Sequence, residues 1–340
     1  MTSHFRYFKA SAVFTAVALV MSGLLGLHDG HSLSAAFATV FIVAVLAVLE
    51  VSLSFDNAVL NAKVLTSMAP LWRRRFLTWG IVLAVFGMRI VFPLLVVGLA
   101  AGISPWQALV LAVARPDDYA RIMTGAHVSI AAFGGSFLAM VGLKYFLDVK
   151  KSVHWIAPIE RPLARLGRIA MVETALVLVV LTGVSRLLPE AEITAFLTAG
   201  MVGLVTFAVV DGVRAGMDVK GQGAVLAARS GAASFLYLEV VDASFSFDGV
   251  VGAFALANNL LVIALGLGIG AMFVRSLTLL LVDKGTLAEY RYLEHGAFWA
   301  ILALAVLMLI GGVTPIPRMV TGLIGAVLIG LSFLSSVKDR

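Results

Sequence analysis

The sequence predicts an all-α protein, a polytopic bundle of about ten transmembrane helices with an inverted internal repeat. Of its 340 residues, 61% are hydrophobic and only 13% are charged, and the mean hydropathy is +1.03. A typical soluble domain has roughly 45–50% apolar and about 25% charged residues. Two similar acidic segments, near 50–62 and 239–255, lie within this apolar chain and predict the repeat.

The composition excludes several classes of protein. A soluble enzyme, a disordered chain and a nucleic-acid-binding protein do not fit it, although the net charge is +6 and the pI is near 9.7. The chain has no Cys, which excludes disulfides and thiolate metal sites. We find no HExxH motif and no nucleophile beside a base, and we therefore expect no enzymatic activity.

Ten segments are long and apolar enough to cross the roughly 30 Å hydrocarbon layer, which takes about 20 residues of helix. They lie near 8–27, 34–65, 76–102, 128–147, 168–188, 193–212, 231–257, 259–282, 297–313 and 318–337. We predict one integral membrane domain over 1–340, with a first repeat at 34–148 and a second at 231–337. Residues 149–230 would supply a connecting loop and helices.

Basic residues orient the chain, because cytoplasmic loops carry an excess of Lys and Arg. With the N-terminus inside, the inner connections hold 18 basic residues and the outer ones hold four. We therefore predict a bacterial cytoplasmic (inner) membrane protein with both termini in the cytoplasm. Arg6 and Lys9 before an apolar run also fit a signal peptide. No small-residue cleavage site follows directly, so an uncleaved first span is favoured.

Three basic residues remain inside the predicted spans: Arg89, Lys144 and Arg275. A central Arg costs roughly 2.5–3.5 kcal/mol or more in a bilayer, so Arg89 should pair with an acid inside the bundle. Lys144 lies near the inner end of its span. Its side chain could simply extend to the interface, and that structural explanation is as well supported as a functional one.

The two acidic segments look like copies of one motif. The first reads EVSLSFDNAVLNA from Glu50, and the second reads EVVDASFSFDGVVGAFA from Glu239. Aligning 52–57 with 244–249 places Glu50 opposite Asp242 and Asp56 opposite Asp248. The copies fall in predicted spans two and seven, so they should run antiparallel. Inverted-repeat transporters use this arrangement and bind their substrates near the bilayer midplane.

Helical geometry sorts the polar side chains of the two copies. One stripe, within about 40° on the helix surface, contains Glu50, Ser54, Asn57 and Asn61. A comparable stripe, about 60° wide, contains Glu239, Asp242, Ser246 and Gly249.

Asp56 and Asp248 lie about 240° away from their upstream acids on an ideal helix. Either the helix unwinds near them, or they pair with Arg89 and Arg275. The 34–65 stretch would measure roughly 48 Å as a straight helix, so tilt, a kink or a break is expected.

Oxygen donors dominate both stripes, and carboxylate, hydroxyl and amide oxygens suit Mn²⁺, Ca²⁺ or Mg²⁺. All six His fall in predicted loops or termini, so no imidazole ligand is expected at the midplane. Counting five acids and three bases in these spans leaves a charge of −2. One divalent cation or two protons would neutralise it. Helix–helix adhesion through paired acids is the structural alternative.

These residues carry a resemblance to a known family. ExxLSFDN in span two and ExxDxxFxxD in span seven resemble the paired signatures of the TerC (tellurium-resistance) integral membrane family, over roughly residues 40–335. YLEHGAFWAILALAV, from Tyr292, resembles its uncharacterised subgroup with extra flanking spans. The resemblance implies an inverted-repeat exporter, and several bacterial members are implicated in Mn²⁺ efflux. Gly249 stands where many relatives have Ser, which removes a hydroxyl ligand.

We therefore expect a secondary transporter that exports a divalent cation, with Mn²⁺ favoured, by alternating access with proton exchange as a plausible coupling. The cation and the lipid bilayer are its expected partners, and nucleic acid is not. The predicted metal ligands are Glu50, Asp56, Asn57, Glu239, Asp242 and Asp248. The supporting residues are Ser54, Asn61, Ser246, Arg89, Arg275 and Lys144. The alternative is an assembly or scaffold factor for metal or tellurite stress resistance, acting through the basic loop 148–168.

Overall fold

The structure, a computed structural model, describes residues 5–80, 82–217, 224–254, 256–314 and 316–339. These residues form helices and connecting turns, and no β-strand occurs among them. The α-helices are α1 (Phe5–Gly30), α2 (Leu33–Leu53), α3 (Phe55–Ser67), α4 (Pro70–Arg75), α5 (Phe92–Ala101), α6 (Pro105–Ala114), α7 (Pro116–Gly125), α8 (His127–Phe146), α9 (Ala157–Leu166), α10 (Val172–Ser185), α11 (Glu190–Met217), α12 (Ala224–Ala253), α13 (Leu260–Lys284), α14 (Thr286–Glu289), α15 (Leu293–Gly311) and α16 (Arg318–Lys338). Two π-helical stretches, Phe76–Gly80 and Leu83–Val91, lie between α4 and α5.

Eight helices of the described chain are long and apolar enough to cross a membrane, which confirms the predicted all-α polytopic membrane bundle. They cover Arg6–His28, Leu33–Ser52, Leu83–Ala101, His127–Phe146, Glu190–Val213, Leu260–Lys284, Leu293–Gly311 and Val320–Lys338. Two of the ten predicted spans are missing from this set. One is α10, which is apolar but only 14 residues long. The other is α12, the 30-residue helix that carries the second acidic motif.

The second predicted span breaks at Ser54, between α2 and α3. Ser54 has φ −108° and ψ 16°, outside the helical region, and its backbone N–H donates to the Glu50 carbonyl at 3.0 Å. Asp56 and Asn57 therefore lie in the first turn of α3. The break agrees with the expectation that this long apolar stretch would not remain straight. It also places polar side chains on both sides of a discontinuity within the span.

The third predicted span is not a regular α-helix. Its Leu83–Val91 stretch is π-helical and contains Arg89, and Gly80 ends the shorter π-helical stretch before it. In a π-helix each N–H bonds to the carbonyl five residues back, and such segments are rare and frequent at functional sites. Nothing in the apolar pattern of 76–102 predicted this geometry.

The two motif helices, α2–α3 and α12, run antiparallel. Glu50 lies against Gly249, and Asn61 donates from Nδ2 to Asp242 Oδ1 at 3.1 Å. Residue numbers therefore rise along α2–α3 while those of their partners fall along α12. Glu50 and Asp242 are equivalent positions in the two motifs, and each of these acids contacts the opposite motif helix. Reciprocal contacts of this kind are what an inverted repeat requires.

Two further helices pack against the motif helices in the same reciprocal way. The helix α8 packs against α12, and α15 packs against α3. Two apolar clusters flank the polar part of the motif helices. One cluster includes Leu60 and Leu238, and the other includes Leu46 and Val250. The polar side chains are thus held between two apolar layers. The repeat boundaries 34–148 and 231–337 stay a prediction.

Candidate functional site

A small cavity, called the motif cavity below, lies where the two motif helices meet the π-helical stretches and α13. Its volume is about 50 Å³. This space holds a few water molecules or one partly hydrated ion. The polar residues that line it are Glu50, Ser54, Asn57, Asn61, Arg89, Asp242, Ser246, Arg275 and Thr278. The four residues of the first predicted stripe all reach it, as do Asp242 and Ser246 of the second.

Glu50 and Arg89 form a buried ion pair at the wall of the motif cavity. Arg89 Nη2 donates to Glu50 Oε1, and the two residues are only 5% and 4% exposed. Arg89 Nη1 also donates to the carbonyl of Ala84, within the π-helical stretch. The expectation that Arg89 pairs with an acid is therefore correct, but its alternative pairing with Asp56 is wrong. The π-helical register aims Arg89 at α2 rather than at the first turn of α3.

Two glycines make room for the Glu50 side chain. A Cβ at Gly270 would lie 2.3 Å from Glu50 Cγ, and a Cβ at Gly249 would lie 3.1 Å from Glu50 Oε2. Side chains at these positions would push Glu50 away from the motif cavity. The glycine in the second motif, where the resembling family often has Ser, is thus explained by the approach of the Glu50 carboxylate.

Several buried oxygens around the motif cavity have no hydrogen-bond donor within the described part of the chain. Asn57 Oδ1, Asn61 Oδ1 and Ser246 Oγ are in this state, and these residues are 8%, 4% and 4% exposed. Native proteins rarely leave such groups unsatisfied, because each orphaned polar atom costs about 1–3 kcal/mol. Together with Asp242, these atoms offer hard oxygen donors to a ligand in the cavity.

Glu239 lies beside the motif cavity rather than in its wall. Its exposure is 8%, and neither carboxylate oxygen has a hydrogen-bond partner among the described residues. A Cβ at Gly80, which does line the cavity, would lie 3.0 Å from Glu239 Oε1. Glu239 therefore lies next to a backbone position that lines the cavity.

Besides Glu239, two more predicted site residues, Asp56 and Lys144, do not line the motif cavity. Asp56 is 4% exposed and accepts a 2.9 Å hydrogen bond from the Asn57 backbone N–H, but it does not line the cavity. The Asp248 side chain lies outside the described residues. Lys144 forms an ion pair with Asp211, where its side chain is 51% exposed. A structural role therefore suffices for Lys144.

The described residues contain no group of three or more His, Asp or Glu that could hold a metal ion. A closed structural metal centre is therefore not what they form. The motif cavity instead combines the Asp242 carboxylate, which accepts a hydrogen bond from Asn61, with amide and hydroxyl oxygens, while Arg89 engages the second carboxylate, Glu50. Such a set can bind a hard cation reversibly, and rearrangement of Glu50 would strengthen the binding.

Among the polar lining residues, sequence reasoning missed Thr278. Its hydroxyl donates to the Val274 carbonyl at 2.9 Å on its own helix α13, and it is 1% exposed. A single Thr in an apolar span gives no signal, because such residues commonly bond to the preceding turn.

A second buried polar group, the Glu160 cluster, was also missed. It consists of Glu160, Lys151, His154, His295 and Trp299. Glu160 in α9 is fully buried and accepts hydrogen bonds from Trp299 Nε1 at 3.0 Å and from Lys151 Nζ at 3.3 Å. It is also bonded to His295 Nδ1 at 2.9 Å. The prediction that all six His lie in loops or termini is wrong for His28 and His127, which lie at the ends of α1 and α8, and also for His295. His295 lies in the first turn of α15 and is 2% exposed.

The electrostatics of the Glu160 cluster favour an ionised carboxylate. Burial raises the pKa of Glu160, but the hydrogen bonds from His295 and Trp299 and the charges of His295 and Lys151 outweigh it, and the pKa falls to about 2. Burial, and next the Lys151 charge, lower the pKa of His154, so its ring is neutral at pH 7. The cluster thus fastens segment 148–168 to the start of α15.

Comparison with known protein families gives one match. A family model described as "Protein of unknown function (DUF475)" matches residues 55–340. The chain belongs to this family. The DUF475 match includes Arg89, Asp242 and the Glu160 cluster, whereas Glu50 precedes it. Searches of curated proteins and of solved structures found no match.

Proposed function

We propose that this DUF475 protein is a secondary transporter that exports a divalent metal cation across the cytoplasmic membrane. The cation would bind in the motif cavity and be exposed to the two sides alternately. Mn²⁺ is the favoured substrate, and protons are the proposed counter-ions. The family match assigns no function, so the support comes from the cavity and from the resemblance to the TerC family.

The observation that carries this proposal is the set of buried oxygens around the motif cavity that lack donors among the described residues. Asn57, Asn61 and Ser246 contribute one such atom each, and Asp242 adds a carboxylate. Purely adhesive polar groups would bond to each other across the helices. Buried oxygens without donors, on residues that line one cavity, are instead suited to a cation, which accepts several oxygen ligands at once.

The antiparallel motif helices support transport rather than storage of the cation. Inverted repeats allow one half of a transporter to move against the other around a fixed site, which opens the site to each side in turn. The break at Ser54 supports the same mechanism, because discontinuous helices are typical of ion sites in such proteins.

The donor chemistry selects the class of cation. The oxygens of carboxylate, amide and hydroxyl groups favour Mn²⁺, Mg²⁺ and Ca²⁺ over softer metals. Neither Cys nor His lines the motif cavity. The choice of Mn²⁺ within this class rests on the family resemblance.

Transport by the reconstituted full chain tests the proposal. Proteoliposomes with a Mn²⁺ gradient should show flux with wild-type protein, and Asp242→Asn should reduce it at least tenfold. Asp211→Asn is the matched control, because it makes the same chemical change in an acid that pairs with Lys144 outside the cavity. In a manganese-sensitive strain, expression should lower cell-associated manganese. Absence of flux, or equal behaviour of wild type and Asp242→Asn, would refute the proposal.

A scaffold or assembly role in metal or tellurite stress is the second candidate, and one observation favours it. Lys150, Arg161, Arg165 and Arg168 are exposed on the inner segment 148–168, which the Glu160 cluster holds in place. An ordered basic surface can dock an acidic partner. In that case, replacing these four residues by Gln should abolish stress resistance, while Asp242→Asn should preserve it.

A further inference from the structure

Arg89 lies where its positive charge neutralises the Glu50 carboxylate. Its guanidinium contacts Glu50 with Nη2 and the Ala84 carbonyl with Nη1, while Nε has no acceptor among the described residues. Both residues line the motif cavity and are at least 95% buried. Arg89 also lies close enough to Asp242 for their charges to interact. The Arg89 guanidinium thus lies in the cavity where the proposed function places the cation.

Electrostatics makes Arg89 and an incoming cation competitors. A buried carboxylate without a partner is strongly unfavourable, so Glu50 requires a positive charge in every state of the protein. In a cavity of about 50 Å³, a divalent cation and the Arg89 guanidinium would repel each other strongly if both contacted Glu50. Glu50 therefore contacts one or the other.

The backbone around Arg89 supplies a second position for its side chain. A π-helical segment differs from an α-helix by one residue per turn, so a change between the two registers rotates following side chains by roughly 100°. The π-helical register of Leu83–Val91 aims Arg89 at Glu50. A local return to α-helical register would withdraw it.

We propose that Arg89 is an internal counter-cation of the transporter: it neutralises Glu50 when no metal is bound and is displaced from Glu50 when the metal binds. This inference rests on the proposed function and deepens it. The empty carrier can then reorient while Arg89 neutralises the buried Glu50 carboxylate. This reorientation of the empty carrier is what allows net export. The loaded carrier changes its orientation with Glu50 on the metal and Arg89 withdrawn.

Comparing Arg89→Gln with Arg275→Gln separates this role from a general effect of charge in the cavity. Arg275 also lines the motif cavity, so Arg275→Gln removes the same charge from the same space without changing the Glu50 partner observed here. Mn²⁺ binding to the purified full chain is measured by calorimetry. Proteoliposomes then report net Mn²⁺ flux and, with radioactive Mn²⁺ on both sides, Mn²⁺/Mn²⁺ exchange.

Competition predicts a specific pattern. Arg89→Gln should tighten Mn²⁺ binding by about tenfold, because the competing partner of Glu50 is gone. It should also slow net flux at least tenfold more than exchange, since exchange never requires the empty carrier to reorient. Arg275→Gln should change net flux and exchange in parallel. Arg89→Lys, which keeps a charge but loses the fork, should lie between wild type and Arg89→Gln.

A double-mutant cycle tests the pairing of Arg89 with Glu50, and Arg89→Lys takes the place of Arg89→Gln in it if Arg89→Gln folds poorly. In a Glu50→Gln background, where both partners are neutral, Arg89→Gln should no longer tighten Mn²⁺ binding. Equal tightening in both backgrounds, or parallel loss of net flux and exchange in Arg89→Gln, would overturn the inference while the proposed function stands. A wild-type protein that neither binds nor transports Mn²⁺ would remove both.

Discussion

Replacing Glu160 by Gln should destabilise the protein markedly although it keeps the size of the side chain. The carboxylate is fully buried and is held by Lys151, His295 and Trp299 at 2.9–3.3 Å. A neutral amide cannot compensate the Lys151 charge, and its NH₂ group would face other donors. Breaking a buried charged pair by removing one partner typically costs about 3–5 kcal/mol.

The pKa of Glu160 gives a similar magnitude and a pH dependence. Its value of about 2 in the folded protein, against an ordinary 4.5, corresponds to about 3 kcal/mol of stabilisation at neutral pH. Because the folded pKa is depressed, this contribution is present above pH 4.5 and is lost as the pH falls from 4.5 towards 2. The Gln variant has no such group, so the stability gap to wild type should narrow in this pH range.

Thermal unfolding in detergent, followed by tryptophan fluorescence, measures this effect. Trp299 itself donates to Glu160, so its emission reports on the cluster. For 340 residues, 3 kcal/mol corresponds to a loss of about 4 °C in Tm at pH 7. The control is Glu190→Gln, an exposed acid in the first turn of α11, for which a change below about 1 kcal/mol is expected. Equal melting temperatures for wild type and Glu160→Gln at pH 7 would contradict the reasoning.

Three further variants probe the motif cavity and its surroundings. Gly270→Ala should destabilise the protein by about 1–3 kcal/mol in thermal unfolding, because its Cβ would overlap Glu50 Cγ at 2.3 Å. Ser246→Ala should leave the melting temperature unchanged or raise it, since its hydroxyl has no partner among the described residues, while calorimetry should show Mn²⁺ binding weakened about fivefold. Lys63→Met should cost less than about 1 kcal/mol on unfolding, because its ion pair with Glu294 is 38% and 29% exposed. A large loss of stability in Ser246→Ala would contradict the absence of a partner for its hydroxyl among the residues that the structure describes. A large loss of stability in Lys63→Met would contradict the expected weakness of its ion pair.

The sequence predicted the membrane bundle and the arrangement of the motif helices because both depend on the exclusion of charged side chains from lipid. Acids are so costly in lipid that Glu50 and Asp242 stand out in an apolar chain and must face the interior. Their helical spacing then predicts which neighbours share their face, and Ser54 and Asn61 do line the motif cavity. The length of the second span similarly predicted a discontinuity, which the structure places at Ser54.

Other features could not be predicted because they depend on backbone register and on distant contacts. The partner of Arg89 is set by a π-helical stretch, and no residue pattern in 76–102 distinguishes that geometry from an ordinary helix. His295 looks like a loop residue by sequence, yet Glu160 lies 135 positions earlier in the chain and buries it. A pairing of this kind arises only once the helices are packed.

The contrast between the two buried polar groups indicates their different tasks. In the Glu160 cluster the carboxylate is fully surrounded by donors, and such satisfied networks fix one conformation. In the motif cavity the described oxygens of Asn57, Asn61 and Ser246 lack donors, and the cavity volume of about 50 Å³ allows water to satisfy them. Oxygens that exchange between water and a cation bind the cation reversibly. The transport that we propose requires that reversibility, because a site that held its ion as firmly as the Glu160 cluster holds its charges would never release it.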